Sequence, residues 1–221
     1  MLRDPLGVER KVIRDLLGPA AGDVLEIGCG DGRLTRHLAG ISGRVIGLDP
    51  DRHSLFQARS LSNREIDLIL GSGENIPLAD STVNTVIFSL SLHHQDPDMA
   101  LAEAQRVLKH GGRIMILEPA GHSPVTILFK PLEDETTRYE RAENALKNCR
   151  WQILRSGSYS TTWVFDGLRE MTEYIFEYYG QEPDPVRVGI MKGALGSRAH
   201  ERPLEIEDIT RWWLLAEDAR D

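Results

Sequence analysis

The residues best placed to do chemistry stand together in Val24-Leu25-Glu26-Ile27-Gly28-Cys29-Gly30-Asp31-Gly32. A short apolar run carries a carboxylate near its end, and three glycines at alternate positions precede a helix-like segment, Arg33 to Ala39. Glycine serves where a loop must take positive φ or where a ligand lies directly on the backbone. A buried strand that runs through a glycine turn into a helix start offers free N–H groups to a nucleotide-type ligand. A second apolar run, Arg44 to Leu48, closes on Asp49, 17 residues beyond Gly32. A carboxylate there can accept hydrogen bonds from both hydroxyls of a ribose. The plain alternative is a glycine turn that serves only the fold.

Two cofactor classes use this arrangement, and the glycine spacing separates them. The dinucleotide pattern G-x-G-x-x-G needs glycine at position 33, where this chain has Arg33. What stands here is E-x-G-x-G-x-G, from Glu26 to Gly32.

Elements that would hold these residues follow from the hydrophobic pattern. Pro5 to Leu17 reads as a helix with Leu6, Val12, Ile13, Leu16 and Leu17 on one face, either packing beside the cofactor mouth or acting as a lid. Strands are expected at Asp23–Ile27, Arg44–Leu48, Glu65–Leu70, Thr82–Ser89 and Arg113–Glu118. Helices alternate with them. Asp96 and Pro97 form an N-cap and first helical residue, and Gly111-Gly112 end that helix after Lys109. This alternation specifies a parallel α/β sheet with helices on both faces. Beyond it come an apolar stretch, Val125 to Leu132, and a polar helix from Glu133 to about Lys147. Next are a strand-like run, Trp151 to Phe165, a helix capped by Asp166, and another behind Asp184-Pro185. A final strand is expected over Ile209 to Leu215.

Composition narrows the class. The 221 residues allow one domain burying roughly 70% of the surface its unfolded chain exposes. Hydrophobic content of 41% and charge of 27% are ordinary for a globular protein. Asp plus Glu outnumber Lys plus Arg by 34 to 26, a net charge of −8. That sign disfavours a nucleic-acid substrate. No apolar run approaches the ~20 residues of a membrane span, and Met1 to Arg10 is too charged for a signal peptide. A cytoplasmic location is expected. Cys29 and Cys149 make no C-x-x-C pair, so neither zinc nor a disulfide is indicated.

From Val24 to Glu118 the chain resembles the small-molecule class I S-adenosylmethionine-dependent methyltransferases. The features carrying the resemblance come in order: E-x-G-x-G-x-G, Asp49, G-x-x-E-N-x-P over Gly71 to Pro77, a fourth strand ending near His93-His94, and R-V-L-K-x-G-G over Arg106 to Gly112. The resemblance implies a Rossmann-like, mostly parallel seven-stranded sheet. It further implies one domain, with its core over 19–118 and an acceptor or lid elaboration, partly helical, over 119–221. By the same resemblance, Glu26 orients the glycine loop and meets the methionyl amine, directly or through water, while Gly28 and Gly30 let the cofactor lie against the main chain. Asp49 holds the ribose, Ser72 and Gly73 contact the adenine, and Ser89 makes a backbone contact with the methionyl part. Ser72 departs from the acidic residue the family often has there. The implied reaction is methyl transfer from S-adenosylmethionine to a small-molecule acceptor. The alternatives are a non-catalytic cofactor binder and a nicotinamide-linked oxidoreductase.

Catalytic residues are harder to read, because a sulfonium is already activated and the protein mainly binds, aligns and excludes water. His93 and His94 invite a general base. The plainer reading packs one ring under the loop and ties the other to backbone. Adjacent histidines point apart on a strand, and no acidic ligand set accompanies them, so no metal is expected. Glu118 and His122 are the other base candidates. The stripe Tyr159, Thr161, Trp163, Phe165 forms either core or an acceptor pocket.

Overall fold

The computed structural model describes residues 1–18, 21–61 and 66–216. Its strands are β1 (Leu2–Arg3), β2 (Val24–Ile27), β3 (Val45–Asp49), β4 (Asp67–Leu70), β5 (Val83–Ser89), β6 (Leu108–Pro119), β7 (Gln152–Phe165) and β8 (Leu204–Ala216). The helices are α1 (Val8–Leu17), α2 (Arg33–Leu38), α3 (Arg52–Leu61), α4 (Pro97–Val107), α5 (Pro124–Phe129), α6 (Thr136–Asn148), α7 (Leu168–Tyr178) and α8 (Pro185–Leu195). The strands hydrogen-bond in the order β1-β7-β8-β6-β5-β2-β3-β4. This is the expected α/β architecture with one strand more than the seven expected. The addition, β1, pairs antiparallel with β7 through Leu2–Val164 and Arg3–Trp163; two residues are too few to show a period. Glu65, the expected first residue of the third strand, lies outside the described residues.

Chain contacts divide the protein into two compact units. The larger comprises residues 10–118, 140–157 and 211–221. Within it, β2 pairs in parallel with β3 on one side and β5 on the other, and β3–β4 and β5–β6 are also parallel. The chain steps outward from β2 to β4 and then returns across β2 to β5, which makes β2 a topological switch point. In such sheets the crevice beyond the carboxyl ends of the strands receives ligands. All four residues of β2 and all five of β3 are buried, as strands covered on both faces must be. Leu25, Ile27, Ile46, Leu48, Val86 and Phe88 share a core cluster with Trp151 and Trp213.

The smaller unit comprises residues 1–9, 119–139 and 158–210. Its own core joins Val125, Leu128, Trp163, Phe165, Met171, Ile175 and Leu204. The stripe Tyr159, Thr161, Trp163, Phe165 is buried throughout. Asp184 caps α8 through Arg187 N at 2.8 Å. Asp166 does not cap α7: Gly167 holds that position, and Glu170 instead reaches back to the Asp166 N–H at 2.6 Å.

A second correction concerns α4 and β6. Asp96 caps α4 as expected, accepting from Asp98 N and Met99 N, both at 3.1 Å. The helix ends at Val107, though, and Gly111-Gly112 lie inside β6. Leu108 already pairs with Val83, and the register then shifts before Thr85 meets Arg113. Gly111, at φ +73°, supplies the left-handed turn in that irregularity.

From α4, Arg106 clamps the 71–80 loop. Its guanidinium donates to Ile76 O (2.8 Å), Leu78 O (2.7 Å), Asp80 (2.9 Å) and both oxygens of Glu103 (2.7 and 2.8 Å). Glu103 in turn accepts from Ile76 N at 2.9 Å, and the Arg106 pairing holds its carboxyl below the usual range. Arg106→Ala should lower unfolding free energy by about 2–3 kcal/mol. Arg106→Lys should recover only part, because an ammonium cannot serve two carbonyls and two carboxylates in one plane. Since Glu103 is depressed in the folded state, its contribution is complete above the unfolded carboxyl value of about 4.3 and is lost as pH falls through the folded value. The difference between wild type and Arg106→Ala in urea titrations should therefore narrow in acid, leaving the part carried by the Ile76 and Leu78 carbonyls.

Candidate active site

The ends of β2 and β3 lie side by side, Ile27 opposite Leu48. Gly28 N and Cys29 N both donate to Leu48 O, at 2.8 and 3.1 Å, so the glycine loop begins by folding over β3. Asp49 then holds it: Oδ2 accepts from Gly30 N at 2.8 Å, and Oδ1 accepts from Asp51 N at 2.9 Å. A carboxylate has about four acceptor sites, so Asp49 retains capacity beyond these two bonds. Glu26, only 1% exposed, accepts from Thr35 Oγ1 of α2 at 2.6 Å. The Cys29 thiol sits among these groups. Burial, and then the Glu26 and Asp49 charges, push its pKa far up. The two carboxylates, whatever burial does to the thiol, favour a cationic ligand.

The glycines do different work. Gly28 has φ +76°, and a Cβ there would stand 2.3 Å from Ser91 Cβ. Ser91 is fixed in turn by its hydroxyl, which donates to Ile27 O at 2.6 Å. Gly28 is therefore needed for close approach of two loops. Gly30, at φ +52°, has nothing within 4 Å of an added Cβ. Its main chain borders open space.

Ser72 is half-buried, and its carbonyl accepts from Asn75 N at 3.2 Å. Gly73 is buried against Ile27 and Gln95. Ser89 is the last residue of β5 and is buried opposite Leu117. Direct contacts thus join Glu26, Gly28, Gly30, Asp49 and Gly73 to the β2 and β3 ends, while Ser72 adjoins Gly73 in the chain.

Three features carry no signal in the sequence. Thr35, the partner of Glu26, lies on a helix face like any other threonine. Leu90 takes φ +54°, a conformation uncommon for a bulky residue and found where the surroundings over-determine it. Gln95 donates through Nε2 to Ser91 O at 2.9 Å, but its Oε1 is buried with no partner among the described residues. A buried acceptor without a donor is unfavourable by on the order of 1–3 kcal/mol.

The histidines correct an expectation. His93 and His94 sit on a 3₁₀ turn, Leu92–His94, with ring centroids 3.9 Å apart. They do not point apart as on a strand, so that argument against a metal lapses. His93 Nδ1 meets Glu118 Oε2, and Glu118 Oε1 accepts from Leu92 N at 2.9 Å. Two of the base candidates are thus buried against each other, whereas His122 is exposed.

A glycine loop over a switch-point strand, with carboxylates on two adjoining strands, defines a Rossmann-like protein for an adenosyl-type ligand. The open face at Gly30, the spare acceptors of Asp49 and the negative field of the Glu26–Asp49 pair fit S-adenosylmethionine. Residues 25–116 match the family described as methyltransferase domain. The match indicates a class I S-adenosylmethionine-dependent methyltransferase, a class whose methyl donor is S-adenosylmethionine.

An uncharacterised methyltransferase of Mycobacterium tuberculosis is 38% identical over 99 residues, 45% of this chain and 40% of its own. The ubiquinone/menaquinone biosynthesis C-methyltransferase UbiE of Rubrivivax gelatinosus is 32% identical over 112 residues, 50% of this chain and 44% of that one. The chain spans roughly half or less of the length of such relatives. Among solved structures, the YcgJ protein of Bacillus subtilis superposes with TM-score 0.62 at 16% identity, covering 96% of this chain and 97% of that one. This shows a shared fold. No helix among the described residues is long and apolar enough to cross a membrane.

The two loop glycines should respond differently to alanine. Gly30→Ala should lower unfolding free energy by roughly 1–2 kcal/mol, the left-handed backbone penalty alone. Gly28→Ala adds a clash with Ser91 and should lose about 3 kcal/mol or more. Denaturant midpoints of the two variants check this ordering.

Proposed function

We propose that this chain transfers a methyl group from S-adenosylmethionine to a small-molecule acceptor. The observation that carries the reading is the acidic pair, Glu26 and Asp49, on either side of the glycine loop. A dinucleotide brings an anionic pyrophosphate to the glycine loop, where the buried Glu26 carboxylate opposes it, while the strand-end Asp49 can serve a ribose in either class. A sulfonium and an ammonium are attracted by both carboxylates. That electrostatic argument, with Arg33 where a third glycine would be needed, disfavours the nicotinamide reading.

The donor supplies a methyl carbon already activated by sulfur. What the protein must add is binding and alignment. Glu26 is the group for the methionyl amine, with Thr35 holding its carboxylate. Asp49 is the group for the ribose hydroxyls, and its bond to Gly30 N keeps the glycine loop flat beneath them. Ser72 and Gly73 take the adenine, and Ser89 the methionyl backbone. The Arg106–Glu103 clamp holds the adenine loop in place before any ligand arrives, which lowers the ordering penalty of binding.

Acceptor choice is assigned to the smaller unit. Its aromatic cluster sets Phe129 edge-on to Trp163, Tyr178 and Tyr179. Beside Trp163 lies the buried Asp208, which accepts from Trp163 Nε1 at 3.0 Å and Ser123 Oγ at 3.2 Å. The Rubrivivax relative is named for C-methylation in quinone biosynthesis, so a demethylated quinol belongs in the first acceptor panel. The family match stops at residue 116, before most of the smaller unit, and carries no acceptor with it.

Binding by the native state alone raises the melting temperature by mass action. S-adenosylhomocysteine should raise it and NADH should not; the reverse pattern sinks the reading. Asp49→Asn keeps an oxygen for Gly30 N but loses the charge and the acceptor for Asp51 N. It should fold and bind S-adenosylhomocysteine at least roughly tenfold more weakly. Calorimetry showing unchanged affinity would remove Asp49 from the ligand site.

A further inference from the structure

Gln95 presents an acceptor with no donor. Its Nε2 is committed to Ser91 O at 2.9 Å, and since that carbonyl can only accept, the nitrogen must be the atom facing it. Oε1 therefore points the other way, buried and without a partner among the described residues. It points at Gly73: a Cβ there would meet Oε1 at 2.3 Å and Ile27 Cγ2 at 2.9 Å. Gly73 is thus the residue whose missing side chain lets the Gln95 amide in. A native protein keeps few such orphaned groups, and each calls for an explanation.

Gly73 and Ser72 form the part of the site assigned above to the base of the ligand. An adenosyl ligand brings three kinds of donor there. The ribose hydroxyls have Asp49, and the methionyl ammonium has Glu26. The 6-amino group of the adenine falls to the uncharged Ser72 and Gly73, since the loop's one carboxylate, Glu74, has an oxygen turned to the N–H of Asp96. One donor and one acceptor are left over in the same corner of the site.

We propose that Gln95 reads the 6-amino group of the adenine. The amide swings outward past Gly73 as the ligand loads, giving up its Nε2 bond to Ser91 O, and Oε1 accepts from the amine. Gln95 as a whole is only half-buried, so its outer atoms have room to turn. Gln95 is then a specificity residue for purines that carry an amine at position 6. The inference rests on the adenosyl reading of the site, and the experiment separates the two.

Calorimetry compares S-adenosylhomocysteine with its analogue bearing hydrogen in place of the 6-amino group, on wild type and on Gln95→Met. Methionine keeps length and removes the acceptor. Wild type should prefer the adenosyl ligand by roughly tenfold, about the effect of one hydrogen bond on affinity. Gln95→Met should bind both ligands within about threefold of each other, its fold confirmed by circular dichroism. An unchanged preference in the folded variant overturns the proposal and leaves the adenosyl reading intact. Equal weakening of both ligands also overturns it, because a merely structural Gln95 would act that way. Wild type that binds neither ligand overturns both readings. Should Gln95→Met fail to fold, the side-chain amide resonances of wild-type Gln95 decide. They should shift on saturation with S-adenosylhomocysteine as the Ser91 bond breaks, and unmoved resonances overturn the proposal.

Discussion

Most of the site hangs on one carboxylate. Asp49 takes the N–H of Gly30 with one oxygen and that of Asp51 with the other, so a single side chain fixes the turn after β2 and the turn after β3 relative to each other. A glycine-rich loop has more conformational freedom to lose than any other. Without an anchor it would pay that entropy each time a ligand bound. The anchor is charged and only 8% exposed, where a charge-assisted hydrogen bond is strong. The loop is therefore set by the fold and not by the ligand.

The same principle repeats around the crevice. Glu26 is held by Thr35, Ser91 by Ile27 O, and the 71–80 loop by Arg106 and Glu103. Each of these loops is tied to a neighbouring element by a side chain binding main chain, or by a buried carboxylate. The result is a preorganised, negatively charged cradle. The Cys29 thiol lies among these groups, its proton affinity raised by burial first and by both carboxylates after it.

Much of this was legible in the sequence because it is imposed by the backbone. Gly28 and Gly32 stand at positive φ with a neighbour inside 3.0 Å or close to it, and no other residue type satisfies both demands. Asp96-Pro97 and Asp184-Pro185 are cap chemistry and gave helix starts correct to a residue. What failed had no such constraint. Gly111-Gly112 looked like a helix stop, but a register shift in β6 took the same residues. Asp166 had the residue type of a cap, yet the chain enters α7 with extended backbone at Gly167, and Glu170 provides the reciprocal bond. A strand's geometry does not hold at the histidines, because the chain has already turned there.

The contrast extends to function. Holding a cofactor against main chain uses glycines and strand-end carboxylates at fixed spacing, and such spacing survives divergence; it is the part of the chain, residues 25–116, that matches a family. Selecting an acceptor uses side chains on ordinary periodicities. Asp208 illustrates the difficulty. On β8 it alternates with Leu204 and Ile206, all three buried, and its neighbours in sequence are Glu207 and Ile209, so nothing distinguishes it from the exposed acids Glu205 and Glu207 except the phase of the strand. Only three-dimensional contact reveals that Ser123 and Trp163 bind it and that burial raises its proton affinity. The meaning of such a group depends on packing and not on spacing.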